Sequence, residues 1–180
     1  MDFLDRDASS IAFRAQLAIP EQRELFDYWL EIAGDRTMPC RADMRPTHFP
    51  KLLPAISLMD VVDLENLRLR VRLAGTRIRE IYDREVTGLY LEEFDLGGEP
   101  EYWQAAYRHV LQTAKPAQGV LRSPRMNKDH LVQFWLRLPL ACEDGRVGMV
   151  LCHDMLVAAG DVPRTMQASE EFPPISARRA

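Results

Sequence analysis

The sequence predicts an α+β domain built on a five-stranded antiparallel sheet. Helices lie over one face of it, and an amphipathic helix leads into it. Three observations carry this. The periodic segments run helix, two strands, short helices, one longer helix, three strands. The strand segments alternate apolar and polar residues or are separated by tight-turn dipeptides. A chain of 180 residues, 47% of them hydrophobic, builds one core without disulfides or a structural metal.

The first 19 residues are weakly patterned and read as an arm with a short helix around Ser10–Leu17. Pro20 then opens a helix through Ala33. Leu25, Phe26, Trp29, Leu30 and Ala33 form one stripe, Arg23, Glu24, Asp27 and Glu31 face away, and Gly34 closes it. Pro39, Pro46, Pro50 and Pro54 exclude long regular structure up to residue 54, leaving room for a helical turn within Thr47–Leu53. Ala55–Val62 and Leu67–Ala74 make a hairpin around Asp63-Leu64-Glu65-Asn66. In the second strand Leu67, Leu69, Val71 and Leu73 point one way and Arg68, Arg70 and Arg72 the other.

Thr76 is the expected N-cap of a short helix ending at Tyr82. Thr87-Gly88 is a turn, and Leu91–Asp95 another helical turn. Gly97-Gly98-Glu99 leads into a helix from Pro100 to Ala114, with Trp103, Ala106, Tyr107, Val110, Leu111 and Ala114 on its apolar stripe. Three strands follow, Ala117–Ser123, Leu131–Leu140 and Arg146–Met155, the last two joined at Asp144-Gly145. The domain therefore spans 20–158, and 159–180 reads as a tail.

Charge and cysteines narrow the function class. The net charge is −4, which speaks against broad binding to nucleic acid or an anionic membrane. No apolar run is long enough to span a bilayer, and the acidic start is not a signal peptide. Cys40, Cys142 and Cys152 form no Cys-x-x-Cys pair, so the expectation is a cytoplasmic protein with reduced thiols. No phosphate-binding loop, nucleophile elbow, zinc-protease motif or dinucleotide fingerprint occurs, so no catalysis is expected.

The order of elements, with a set of short motifs, resembles a family of stand-alone bacterial PAS proteins. The motifs are Tyr28-Trp29; Pro39 with Arg41 and Asp43; Leu52-Leu53-Pro54; Asp60-Val61; the arginine-rich strand Arg68–Thr76; Thr87-Gly88; Leu138-Pro139-Leu140; and Asp144-Gly145. They span roughly residues 20–155. One position departs: Asp83 precedes Arg84 where the family pattern has glycine, and aspartate tolerates the left-handed conformation. The resemblance implies a sensory or interaction module with a small cavity between sheet and helices, often a homodimer through its N-terminal helix. It fixes no ligand.

Against that background the candidate residues sort as follows. Leu69, Leu73, Tyr82, Tyr107, Phe134 and Met149 are the expected pocket residues, with Thr76 as a polar contact. Arg68, Arg70 and Arg72 share one sheet face, solvated or gripping an acidic partner. On Leu131–Leu140, Val132, Phe134, Leu136, Leu138 and Leu140 are the expected core face. Trp135, beside Gln133 and Arg137 on the other, is expected to be covered by the leading helix through Phe26 and Trp29. A haem ligand would come from the long helix, but His109 falls away from its apolar stripe. A flavin-adduct photosensor needs an Asn-Cys-Arg-Phe-Leu-Gln-like helix, which is absent. The reading is a non-catalytic signalling module for an unidentified small molecule, a signalling protein partner, or both. A ligand-free adaptor of the same fold and a haem sensor are the alternatives.

Overall fold

The computed structural model describes residues 3–94, 100–122 and 130–161, with side chains in 8–94, 100–121 and 130–161. The Gly97-Gly98-Glu99 turn, the end of the third strand at Ser123 and the tail from 162 lie outside the described residues.

Two helices come first. Helix α1 covers Phe3–Gln16 and α2 Pro20–Ala33. The arm is thus helical over more of its length than its weak patterning suggests. Its Phe13 ring lies 4.9 Å from Phe26, and Arg14 holds Asp27 through two hydrogen bonds of 2.6 and 2.7 Å. Gly34 ends α2 with φ at +56°, its N–H bonded to the Leu30 and Glu31 carbonyls, a geometry that favours glycine.

The Pro-rich stretch forms three short 3-10 turns at Arg41–Asp43, Pro46–His48 and Leu53–Ala55. Arg41 is exposed, whereas Asp43 is tied to Arg36 at 2.8 Å and accepts the Cys40 N–H at 2.8 Å. The Cys40 amide and the Arg36 guanidinium hold the Asp43 carboxyl below the ordinary carboxylate range.

Strand β1 is Ile56–Asp63 and β2 Arg68–Ala74. Asp63 builds the turn between them by accepting the Asn66 backbone N–H at 3.1 Å and its side-chain amide at 2.8 Å. Helix α3 is Thr76–Tyr82 and α4 Pro100–Thr113. Thr76 is not the N-cap. Gly75 holds that position without any side-chain bond, because its backbone is pressed onto the Leu53 and Pro54 carbonyls, where a Cβ would come within 2.1 Å. Asp83 ends α3 in the left-handed conformation, with φ at +50°.

Strands β3 (Ala117–Arg122), β4 (Leu131–Ala141) and β5 (Val147–Ala158) complete one antiparallel sheet in the order β2-β1-β5-β4-β3. β5 runs three residues beyond its predicted end, since Val157 and Ala158 still pair with Val132 and Leu131. Helices cover both faces. The inner face carries Met59, which accepts a hydrogen bond from the Tyr107 hydroxyl of α4. The outer face carries Phe134, packed with Ile19 just ahead of α2.

Among the described residues no helix is long and apolar enough to cross a membrane.

Candidate functional site

Residues paired across a sheet project to the same face, so register sorts the side chains. Trp135 faces Asp154 and Arg137 faces Cys152 in the β4–β5 pair, while Cys152 faces Ser57 in β5–β1. Met59 lies two residues along from Ser57, and its contact with Tyr107 places the whole row on the inner face, beneath α3 and α4. Gln133, Trp135 and Arg137 therefore line the inner face. The apolar row Val132 to Leu140 lies on the outer face, under α2.

The sequence reading had these two faces of β4 reversed. Alternation identifies which residues share a face, but both faces of this strand are covered, and hydrophobicity alone put the apolar row beside α4. Trp135 is 3% exposed, and its indole N–H donates to the Tyr102 hydroxyl at 3.2 Å, so it is no partner surface. Phe26 and Trp29 are likewise buried against their own sheet, and the Trp29 indole donates to the Pro139 carbonyl at 2.9 Å.

At the centre of the inner face lies a buried ion pair. Arg137 and Asp154 are each 2% exposed. The guanidinium donates to both Asp154 oxygens, at 2.9 and 3.0 Å, and to the Leu136 carbonyl at 3.0 Å. Gln133 donates a further 2.9 Å bond to Asp154, and the Tyr82 hydroxyl hydrogen-bonds Gln133. Three rings enclose the cation: Trp103 at 5.0 Å, Tyr107 and Trp135 at 5.4 Å. Burial disfavours the Arg137 charge, but Asp154 and the surrounding groups outweigh it and hold the guanidinium firmly protonated. Its Nε, also buried, has no hydrogen-bond partner among the described residues.

The groups around the pair are poised the other way. Burial raises the Tyr107 hydroxyl, the Tyr82 hydroxyl and the Cys152 thiol above their ordinary ranges, so all three stay protonated. The Tyr107 hydroxyl sits 2.9 Å from Met59 Sδ and 3.7 Å from Cys152 Sγ. Gly119 of β3 makes room for the Trp135 ring; a Cβ there would fall 2.5 Å from it and 2.6 Å from the Tyr102 oxygen. The site thus consists of donors and acceptors aimed into a dry, aromatic interior, where hydrogen bonds and charges interact most strongly.

Of the predicted pocket residues, Leu69, Tyr82 and Tyr107 come together on this inner face. Phe134 and Met149 lie on the outer face, as their pairing with Met155 and Asp60 dictates. Thr76 is exposed, and Leu73 is 52% exposed. Leu73 leaves the core because Leu58 pairs with Leu73 but Met59 with Val71, so Arg72 is an extra residue and both it and Leu73 turn outward. Arg137, Asp154, Gln133 and Trp103 were not singled out as site residues. The signal available was a charge of each sign in the middle of two long, mostly apolar strands.

The arginines of β2 stand on the open part of the outer face. Arg72 and Arg70 share Asp60 at 2.7 and 3.5 Å. Arg68 meets Glu92 at 3.3 Å and lies over the Tyr90 ring at 4.3 Å. His109 is on the exposed side of α4.

Comparison with known proteins places the chain in a class. A PAS domain profile matches residues 17–152, and the chain belongs to the PAS domain family. Among solved structures it is similar to the LOV protein of Rhodobacter sphaeroides, with 18% identity over 70% of this chain and 74% of that one, at a TM-score of 0.47. It is also similar to a light-oxygen-voltage domain examined with a flavin analogue, with 12% identity over 69% of this chain and 92% of that one, at a TM-score of 0.52. An RNA-binding light-oxygen-voltage receptor matches at 14% identity over 68% of this chain and 36% of its own, at a TM-score of 0.48. The second of these, at a TM-score of 0.52, shows the fold. No curated protein matches the sequence.

Proposed function

We propose that this PAS domain is a non-catalytic cytoplasmic sensory module, and that its ligand is a small molecule read by Arg137 and its neighbours between the sheet and α3–α4. The observation that supports this reading is the buried Arg137–Asp154 pair itself. Replacing such a pair by apolar residues of similar size is often neutral or stabilising, so stability alone does not call for it. A guanidinium fixed by Asp154, faced by aromatic rings and with its Nε–H unpartnered among the described residues, suits a planar molecule carrying an acceptor oxygen. Ligand binding there would shift the population between dockings of α2 on the opposite face, because β4 and β5 carry both surfaces.

The flavin named for one neighbour does not suit these residues. The sequence has no Asn-Cys-Arg-Phe-Leu-Gln-like helix, and neither α3 nor α4 carries a cysteine, while Trp103, Tyr107, Trp135 and Arg137 are buried on the inner face. Those same rings favour a second reading, a ligand-free adaptor that binds an acidic protein partner through Arg68, Arg70 and Arg72.

Native mass spectrometry of the full chain purified from cells separates the two. The sensor reading expects a species heavier than the 20.7 kDa chain that returns to the sequence mass on denaturation. It also expects the extra mass to vanish in an Arg137→Met, Asp154→Leu variant. Wild-type protein at the sequence mass alone favours the adaptor.

A further inference from the structure

Beneath α2, on the face opposite the Arg137 site, lies a second set of buried polar atoms. His153 is 0% exposed, and neither ring nitrogen has a hydrogen-bond partner among the described residues. Gln22 of α2 is 1% exposed, and its amide nitrogen is also without one. His153 pairs with Leu136 and with Ile56, which sets it on the outer face.

The two groups belong to one interface. Ile19 packs on Phe134, and Trp29 bonds to the Pro139 carbonyl. Ten helical residues rise about 15 Å and five strand residues about 17 Å, so α2 runs beside β4 in the same direction. Gln22, about one turn past Ile19, therefore lies over the Leu136–His153 row. Leaving such groups unpaired in a dry interface weakens docking at that point. Apart from the Trp29 indole bond, the rest of the α2 contact is apolar, through Leu25, Phe26 and the Trp29 ring.

We propose that His153 is a proton-operated latch: protonating its imidazole releases the α1–α2 hairpin from the outer face of the sheet. An imidazolium in this position has no acceptor among the described residues, whereas after release it is hydrated. The charged groups around it pull in both directions. Glu21 on α2 and Asp154 on the same strand favour the proton; Arg137 from β4 and Arg77 from α3 oppose it, and β1 presents the apolar Ile56. Burial is the largest influence and depresses the His153 affinity for protons in the docked form.

The sign follows. The released form binds the proton more readily, so docking is fully favoured above the ordinary histidine value near 6.5 and weakens as pH falls below it. The docked-to-released ratio then drops by up to about tenfold per pH unit. Release uncovers Phe26 and Trp29 together with Phe134, Leu136 and Leu138, which would otherwise never meet a partner.

Hydrogen exchange of the full chain at pH 7.5 and 5.5, corrected for the intrinsic exchange rate, tests this. In wild type the α2 amides around Leu25–Leu30 should lose up to about tenfold in protection between pH 7.5 and 5.5, while those of α4 around Tyr107–Leu111 keep theirs. In His153→Leu the α2 protection should be the same at both pH values. If that variant does not fold, His153→Gln, which also does not titrate, serves in its place. Equal loss in α2 and α4 of wild type, no loss in α2, or a loss that persists in the non-titrating variant overturns the proposal.

Discussion

Removing one partner of the Arg137–Asp154 pair leaves the other charge buried among Trp103, Tyr107 and Trp135. Both side chains are almost completely sequestered, 2% and 3% exposed, so water cannot replace the lost partner. Breaking a pair of this kind costs about 3–5 kcal/mol. In a chain of this size each kcal/mol moves the melting temperature by about 2–4 °C, giving a loss of about 6–20 °C for Asp154→Leu or Arg137→Met alone. The double variant removes both charges, leaving Gln133 without its Asp154 acceptor and the Leu136 carbonyl without its Arg137 donor but no bare ion, and should lie within about 2 kcal/mol of wild type. The coupling energy is then at least about 4 kcal/mol, read by urea denaturation of all four proteins. Single variants costing under about 1 kcal/mol, with the double equal to their sum, would refute the reasoning, because exposed pairs behave that way.

Three further outcomes follow from the geometry. Gly119→Ala drives a methyl into the Trp135 ring and the Tyr102 oxygen; it should cost about 1–3 kcal/mol by thermal denaturation, and an unchanged stability would mean the ring does not lie over β3. Leu73→Ser should change stability by no more than about 0.5 kcal/mol, whereas Leu69→Ala should cost about 2–5 kcal/mol; a similar cost at both positions would contradict the bulge at Arg72. Trp29→Phe keeps most of the packing of α2 but strands the Pro139 carbonyl, so urea denaturation should show a loss of about 1–3 kcal/mol.

The hairpins, helices α2 and α4, and the element order of an α+β domain were legible because local periodicity and turn chemistry act within a few residues. Even Asp83 could be anticipated, since its left-handed conformation is a property of one residue. What the sequence did not reveal depends on what lies across the sheet. Val132 to Leu140 looked like the only core face of β4 because a strand buried on both sides carries its second contact in mixed residues. Gln133, Trp135 and Arg137 are interior only because Asp154, Tyr102 and Trp103 satisfy them, and those partners come from β5 and α4. Leu73 was misplaced for a different reason: alternation is broken by an extra residue whose cause lies in pairing with β1, not in β2 itself. The early helix α1 has little amphipathic signal, and its place depends on Phe26 and Asp27 of α2.

Nuclear Overhauser contacts measure directly which layer each face of β4 meets. Contacts should run from the Trp135 indole to the Tyr102 and Trp103 rings, and from the Phe134 ring to the Ile19 methyls. Contacts from Phe134 to α4, together with Trp135 against α2, would contradict this arrangement.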